Sequence, residues 1–119
     1  MKYACLIYSD ENDTTAHPQP GSEAFGKIME GYMAFGAEAG EAGVIVAGEP
    51  LESTSTATCL RVRGGEVTTT DGPFAETKEH LGGFYILDCE SLDEAMKWAA
   101  KIPTASTGTI EIRPVPDFG

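Results

Sequence analysis

Two predicted helices, each set between segments of strand type, limit the fold of this chain most strongly. In the first segment, apolar residues recur every three or four positions from Phe25 to Ala39, which predicts a helix between Ser22 and Gly43. The second segment follows the capping box Ser91-Leu92-Asp93-Glu94. Because strand-type runs flank both helices, the chain is predicted to be an α+β protein with two helices on one face of a mainly antiparallel sheet.

The middle of the chain is predicted to form a β-hairpin inserted between these two halves. Strand-type residues on either side of Gly64-Gly65 can pair, since two glycines supply the positive φ angles of a tight turn. The predicted strands are Tyr3–Tyr8, Val44–Gly48, Ala57–Arg63, Glu66–Thr70, Gly83–Asp88 and Gly108–Val115. One face of the main sheet is left uncovered by this arrangement, so a homodimer that packs sheet to sheet is expected.

The run Asp71-Gly72-Pro73-Phe74-Ala75-Glu76-Thr77-Lys78-Glu79 combines a stiff turn with several charged side chains. Its glycine and proline fix one defined bend in the backbone, which holds Asp71 in place. If residues 76–80 then run extended, Glu76, Lys78 and His80 share one face of the strand. The pattern predicts acid and base groups that meet at one cavity.

These side chains are the predicted catalytic groups, with Asp71 or Glu76 as the base and Lys78 stabilising negative charge on the substrate. The predicted substrate-binding residues are Tyr32, Glu49, Phe74 and His80. Each role has a structural alternative. Asp71 can cap its own turn, Lys78 can be a solvated partner of a nearby carboxylate, and Tyr32 can pack in the core.

The length and the net charge of the chain further restrict its possible partners and its expected chemistry. The 119 residues have the size of one domain, so residues 1–119 are predicted to fold as a unit. A formal net charge of -11 repels phosphate backbones and anionic lipid, which makes nucleic acid and membranes unexpected partners. The sequence has neither a metal-ligand cluster nor a phosphate-binding glycine loop. The expected chemistry therefore uses a small-molecule ligand and no metal or cofactor.

The cysteines predict a reducing compartment. Cys5, Cys59 and Cys89 are odd in number and far apart in sequence, and each lies within or directly after a predicted strand. They are expected to be free core thiols of a cytoplasmic protein. No long apolar segment that could act as a signal peptide or a membrane span is present in the sequence.

The run of residues 71–79, followed by Leu81-Gly82-Gly83-Phe84-Tyr85, resembles the signature of the YCII-related family, in the branch named after its DGPF tetrapeptide. The resemblance extends to the N-terminal strand, to Gly48-Glu49-Pro50-Leu51, to Leu92-Asp93-Glu94-Ala95 and to Ile110-Glu111-Ile112-Arg113-Pro114-Val115, and so covers nearly the whole chain. It implies a ferredoxin-like α+β fold that pairs into a dimeric α+β barrel, with a pocket between sheet and helices.

The resemblance also implies small-molecule chemistry by a histidine and aspartate pair, with the histidine on the first helix. The corresponding stretch Glu30-Gly31-Tyr32-Met33-Ala34 contains no histidine, so the pair is not transferred to this chain. His17, beside Pro18 in the preceding loop, is expected to be solvated. We expect a cofactor-independent lyase or isomerase that uses the DGPF loop. The alternative is a non-catalytic binding or regulatory module, because this branch is often encoded beside alternative sigma factors.

Overall fold

Strands and helices alternate in the order that the sequence predicts. The computed structural model describes residues 1–119 and contains the strands β1 (Lys2–Ser9), β2 (Ile45–Pro50), β3 (Thr58–Arg63), β4 (Glu66–Asp71), β5 (His80–Asp88) and β6 (Thr109–Pro114), with helices α1 (Glu23–Glu41) and α2 (Leu92–Ala99). Four strands form one sheet in the order β2-β5-β1-β6, with every pairing antiparallel. This is the ferredoxin-like arrangement. β3 and β4, which lie between β2 and β5 in the sequence, form a separate two-stranded sheet.

Helix α1 begins and ends at residues that suit its termini. The Ser22 hydroxyl accepts a hydrogen bond from the backbone N–H of Phe25 at 3.2 Å, as an N-cap does. Gly43 follows the helix with a φ of +75°, a conformation that glycine adopts without steric cost. Neither α1 nor α2 combines the length and the apolar character that crossing a membrane requires.

The core lies between the two helices and one face of the four-stranded sheet. It consists of Tyr3, Cys5 and Ile7 from β1, Phe35 and Ala39 from α1, Leu87 from β5, Ala95 and Ala99 from α2, and Val44, Cys89 and Ile102 from connecting segments. The Phe35 ring lies 4.9 Å from the Tyr85 ring and 6.5 Å from the Trp98 ring. These contacts join both helices to the strand that carries Tyr85.

Burial raises the pKa of the thiols of Cys5 and Cys89 and so lowers their reactivity. Cys5, Cys59 and Cys89 are free cysteines, and the first and last of them are buried. Burial raises the pKa of Cys5 to about 11, and the nearby Cys89 adds to the rise. Cys5 is therefore a protonated apolar filler near neutral pH.

The cap of α2 differs in one bond from the predicted capping box. Ser91 Oγ accepts from the backbone N–H of Glu94 at 3.2 Å, as predicted. The Glu94 carboxylate instead accepts from the backbone N–H of Glu90 at 2.8 Å. The return bond therefore reaches one residue further back than the capping box requires.

The glycines of α1 differ in what surrounds them, and this difference predicts opposite effects on stability. An added Cβ at Gly36 meets no atom within 4 Å, whereas one at Gly31 lies 3.0 Å from Pro103 Cγ. Gly36→Ala is expected to raise the free energy of unfolding by about 1 kcal/mol, because alanine loses less backbone entropy in a helix. Gly31→Ala is expected to raise the free energy of unfolding by less than Gly36→Ala, or to lower it, since Pro103 must shift. Urea unfolding measures both, and equal stabilisation by the two variants would contradict the packing at Gly31.

Candidate functional site

The predicted catalytic side chains lie outside the interior of the protein. β4 ends at Asp71 and β5 begins at His80, and the residues between them form bends and irregular loop. The extended segment assumed for residues 76–80 is therefore absent, and its alternation does not bring Glu76, Lys78 and His80 onto one face. Asp71, Glu76 and Lys78 are all exposed. Their catalytic roles stay predictions.

Phe74, the aromatic residue of the same turn, is also exposed. Its side chain is 78% exposed, and the Arg61 guanidinium lies 5.6 Å from the centre of its ring. A cation over an aromatic face at this distance is a favourable contact. This contact joins the turn to β3, and the substrate-binding role of Phe74 stays a prediction.

A cavity of about 660 Å³ lies between the N-terminal half of α1, the preceding loop and the helix-facing side of the sheet. Its wall is formed by Ile7, Ser9, Ala16, His17, Pro18, Pro20, Phe25, Ile28, Met29, Tyr32, Gly48, Glu49, Pro50, Gly82, Gly83, Phe84, Tyr85 and Thr104. The volume lies within the range of about 300 to 1,000 Å³ that is typical of small-molecule sites. Of the predicted site residues, Tyr32 and Glu49 are in this wall.

Ser9 and His17 form a hydrogen-bonded pair in the cavity wall. Ser9 is the last residue of β1 and only 4% exposed, and its hydroxyl lies 2.8 Å from Nε2 of His17. His17 is exposed, as the sequence predicts, although its ring also reaches the end of β1 and forms a hydrogen bond there. The exposed ring of His17 is therefore oriented by a buried hydroxyl.

Local bonds hold the loop segment that carries His17. The backbone N–H of His17 donates to the carbonyl of Asp13 at 2.8 Å, and the Asp13 carboxylate accepts from the N–H of Thr15 at 2.9 Å. Pro18 then restricts the backbone of His17. The proline was the signal in the sequence that this histidine is held, but nothing in the sequence identified Ser9 as its partner.

Two tyrosines provide hydroxyl groups along the opposite part of the wall. The Tyr32 hydroxyl is hydrogen-bonded to the Thr104 hydroxyl, which fixes its direction. Burial raises the pKa of Tyr85, and the nearby Tyr32 raises it further. Tyr85 therefore stays a neutral phenol near neutral pH and can donate a hydrogen bond to a ligand.

Gly48 leaves room for the Tyr85 ring. The two residues face each other in the β2–β5 pairing, and a Cβ on Gly48 would lie 2.5 Å from Cδ1 of Tyr85. No side chain can occupy that position unless the ring moves. The missing side chain at residue 48 therefore helps to define the shape of the cavity.

A second polar cluster ties the same loop to the segment after β2. The Glu11 carboxylate accepts from both the backbone N–H and the hydroxyl of Thr54 at 2.8 Å, and from the Ser53 hydroxyl at 3.4 Å. The Thr54 N–H is the main cause of the lowered pKa of Glu11, and His80 contributes to it. His80 pairs with Ser9 between β5 and β1, and its Nδ1 is buried without a hydrogen-bond partner. His80 thus lies near the cavity but outside its wall.

Comparisons with known proteins place the chain in one family and show similarity to two further proteins. The YCII-related domain matches residues 1–119. An uncharacterized protein of Rhizobium meliloti (strain 1021) is 42% identical over 117 residues, which cover 97% of this chain and 92% of that protein. The chain is also similar to a solved structure, the 5-chloro-2-hydroxyhydroquinone dehydrochlorinase TftG from Burkholderia phenoliruptrix in complex with 2,5-dihydroxybenzoquinone. That likeness has a TM-score of 0.50 at 17% identity and covers 98% of this chain and 94% of TftG, so it shows the fold alone. With a match over its full length and a relative of this identity, the chain belongs to the YCII-related domain family.

Proposed function

We propose that this protein is a cofactor-independent lyase or isomerase that acts on a small molecule in the cavity between α1 and the sheet. The observation that carries the proposal is the pairing of a buried hydroxyl, Ser9, with an imidazole, His17, in the wall of a cavity of ligand size. Most of the remaining wall is apolar or aromatic, which excludes water and holds a ring-shaped ligand. The pair supplies a proton acceptor at the polar part of the wall.

The proposed chemistry is the transfer of one proton. When Nε2–H of His17 donates to Ser9, the lone pair on Nδ1 remains to accept a proton from the substrate. The negative charge left on the substrate is then stabilised by the neutral Tyr85 hydroxyl, which donates to a substrate oxygen. Return of the proton to another atom completes an isomerisation, and departure of a leaving group with its electron pair completes an elimination.

The absence of a cationic side chain in the wall favours an uncharged substrate. The lining residues include neither lysine nor arginine, and Glu49 adds a carboxylate at the end of β2. A carboxylate or phosphate on the ligand would lack a partner there. Dehydrochlorination of a hydroxylated ring, the activity named for TftG, is an elimination of the proposed class, in which a proton and chloride leave a flat ring of suitable size.

A screen of neutral hydroxylated aromatics, quinones and lactones, chlorinated and unchlorinated, tests the proposal. Calorimetry measures binding, absorbance follows turnover of the ring, and a chloride electrode detects elimination. We expect at least one class to bind and to be converted by the purified protein. Failure of every class both to bind and to react would contradict the proposal.

Gly48→Ala tests whether the cavity is the site of that activity. The new Cβ would push the Tyr85 ring toward the cavity, so affinity for any ligand found is expected to fall at least about 10-fold. Val46→Ala, in the same strand but outside the wall, serves as the matched control and should bind normally. Unchanged binding by Gly48→Ala would exclude this cavity as the site.

A small-molecule-binding module without catalysis is the second candidate. It is favoured by the hydrogen bonding of His17, whose ring is bound to a serine hydroxyl and not to the carboxylate that a histidine and aspartate pair would provide. Tight binding without conversion in the same screen would select this function. The association with alternative sigma factors stays a prediction from the resemblance.

A further inference from the structure

The Tyr85 hydroxyl is a hydrogen-bond donor without a partner in the cavity between α1 and the sheet. The Tyr85 ring is held on two sides, by the Phe35 ring at a distance of 4.9 Å and by Gly48, where a Cβ would lie 2.8 Å from Cε1 of the ring. The hydroxyl at the end of this half-buried ring forms no hydrogen bond with another residue. Because tyrosine hydroxyls at such positions usually find a partner, a ligand oxygen is the expected one.

Tyr32 places a second phenol hydroxyl close to that of Tyr85. Residues three positions apart are neighbours on a helix, so Tyr32 lies beside Phe35 on α1, and Phe35 contacts the Tyr85 ring. Both tyrosines are in the wall of the cavity. Their electrostatic interaction agrees with this arrangement, because Tyr32 raises the pKa of Tyr85 beyond the effect of burial. The two hydroxyls can therefore donate to the same ligand atom.

Thr104 determines the direction of the Tyr32 hydroxyl. The side-chain hydroxyls of the two residues are hydrogen-bonded to each other. The backbone of Thr104 is fixed, because its carbonyl accepts from the N–H of Gly108 at 2.7 Å. The preceding residue, Pro103, packs on α1, with its Cγ 3.0 Å from the Cβ position of Gly31. Thr104 is therefore held in place next to the helix that carries Tyr32.

The hydrogen bond between Thr104 and Tyr32 has a defined direction once a ligand oxygen is bound. Each hydroxyl has a single hydrogen, so Thr104 donates to Tyr32 whenever Tyr32 donates to the ligand. The first hydrogen bond polarises the Tyr32 hydroxyl and strengthens the second. The gain is largest for a charged ligand oxygen, because hydrogen bonds to ionised acceptors are the strong ones.

We propose that Tyr32 and Tyr85 form an oxyanion site, in which both hydroxyls donate to one phenolate or enolate oxygen of a flat ring, with Thr104 as the positioning residue for Tyr32. Fixed neutral donors stabilise a charge that is centred on a single oxygen. The assignment rests on the proposed function in placing the ligand in this cavity. It specifies the ligand as a ring that carries negative charge on an oxygen or develops it during the reaction.

Binding of p-nitrophenol to the full chain tests the site without any turnover. Its phenolate form has one charged ring oxygen, whereas p-nitroanisole has the same ring and nitro group with that oxygen methylated. An absorbance titration is expected to show the bound phenolate. Calorimetry is expected to show that p-nitroanisole binds at least about 10-fold more weakly, because it accepts no charge-assisted hydrogen bond. Equal affinity for the two compounds, or no binding of p-nitrophenol, would overturn the proposal.

Phenylalanine substitutions identify the two donors. Tyr32→Phe and Tyr85→Phe each remove one hydroxyl and keep the ring, so each is expected to weaken binding of the phenolate at least about 10-fold. Tyr8→Phe is the matched control, because the hydroxyl of Tyr8 bonds to Glu111 outside the cavity wall, and this variant should bind normally. Thermal melting checks that the variants are folded. Wild-type affinity in either cavity variant would overturn the two-donor site.

Thr104→Val and Thr104→Ser test the positioning residue. Valine keeps the shape of the side chain without its hydroxyl, so affinity for the phenolate is expected to fall about 3- to 10-fold. The absorption maximum of the bound phenolate should also move to longer wavelength, because Tyr32 then donates a weaker hydrogen bond. Thr104→Ser should restore both values. A serine variant that behaves like the valine variant would overturn the positioning role.

The outcomes for the site and for the proposed chemistry can be told apart. Phenolate binding that depends on both tyrosines, in a protein that converts none of the screened compounds, would support the site and contradict the chemistry. Turnover that Tyr32→Phe and Tyr85→Phe leave unchanged would support the chemistry and overturn the site.

Discussion

Replacement of His17 by asparagine is expected to lower kcat at least about 100-fold for any substrate that the screen identifies. Asparagine can still exchange a hydrogen bond with the Ser9 hydroxyl, but it cannot accept a proton near neutral pH. Because His17 lies in a loop and is exposed, the melting temperature should stay close to that of the wild-type protein. Steady-state kinetics and thermal melting measure the two effects.

Two companion variants make this result specific. Gln19→Ala changes an exposed residue of the same loop that is absent from the cavity wall, and it should keep full activity. Asp71→Asn tests the DGPF turn, whose charged side chains are exposed. A loss of activity in Asp71→Asn with full activity in His17→Asn would move the proton acceptor from the loop to the turn.

The fold could be predicted because it depends on local patterns. The spacing of apolar residues indicated the first helix and a capping box indicated the second. Gly64 and Gly65 have φ angles of +57° and +80°, as the predicted hairpin turn requires. Gly72 likewise has a φ of +98°, so the bend in the DGPF run is where the sequence predicts it. Each of these features is fixed by the residues that form it.

The site could be predicted only in part because it depends on contacts between distant segments. Tyr32 belongs to a predicted helix and Glu49 directly follows a predicted strand, and both are in the cavity wall. The loop that carries His17 is tied through Glu11 to Thr54, 43 residues from Glu11 in the sequence. No periodicity encodes such a bond. The bend at Gly72 could be inferred because it is local. The direction of the Asp71 side chain could not, because it depends on how the hairpin lies relative to the rest of the chain.

Gly108→Ala is expected to cost at least about 3 kcal/mol of the free energy of unfolding. A Cβ at this position would lie 2.1 Å from the backbone oxygen of Tyr8, 3.2 Å from Cβ of Ser9 and 3.1 Å from Cγ2 of Thr104. Tyr8 cannot retreat easily, since its strand, β1, is hydrogen-bonded on both sides within the sheet. Neither does Gly108 have freedom to move, because its N–H donates to the Thr104 carbonyl at 2.7 Å.

Urea unfolding measures this loss of stability, with Thr107→Ala, an exposed neighbour, as the control that should remain near the wild-type value. A Gly108→Ala protein within about 1 kcal/mol of the wild type would contradict the close approach of the two backbones. The position also connects stability to function, because Ser9 and Thr104 are both in the cavity wall. Any Gly108→Ala protein that folds must displace one of them, so it should bind ligand more weakly than its remaining stability alone would predict.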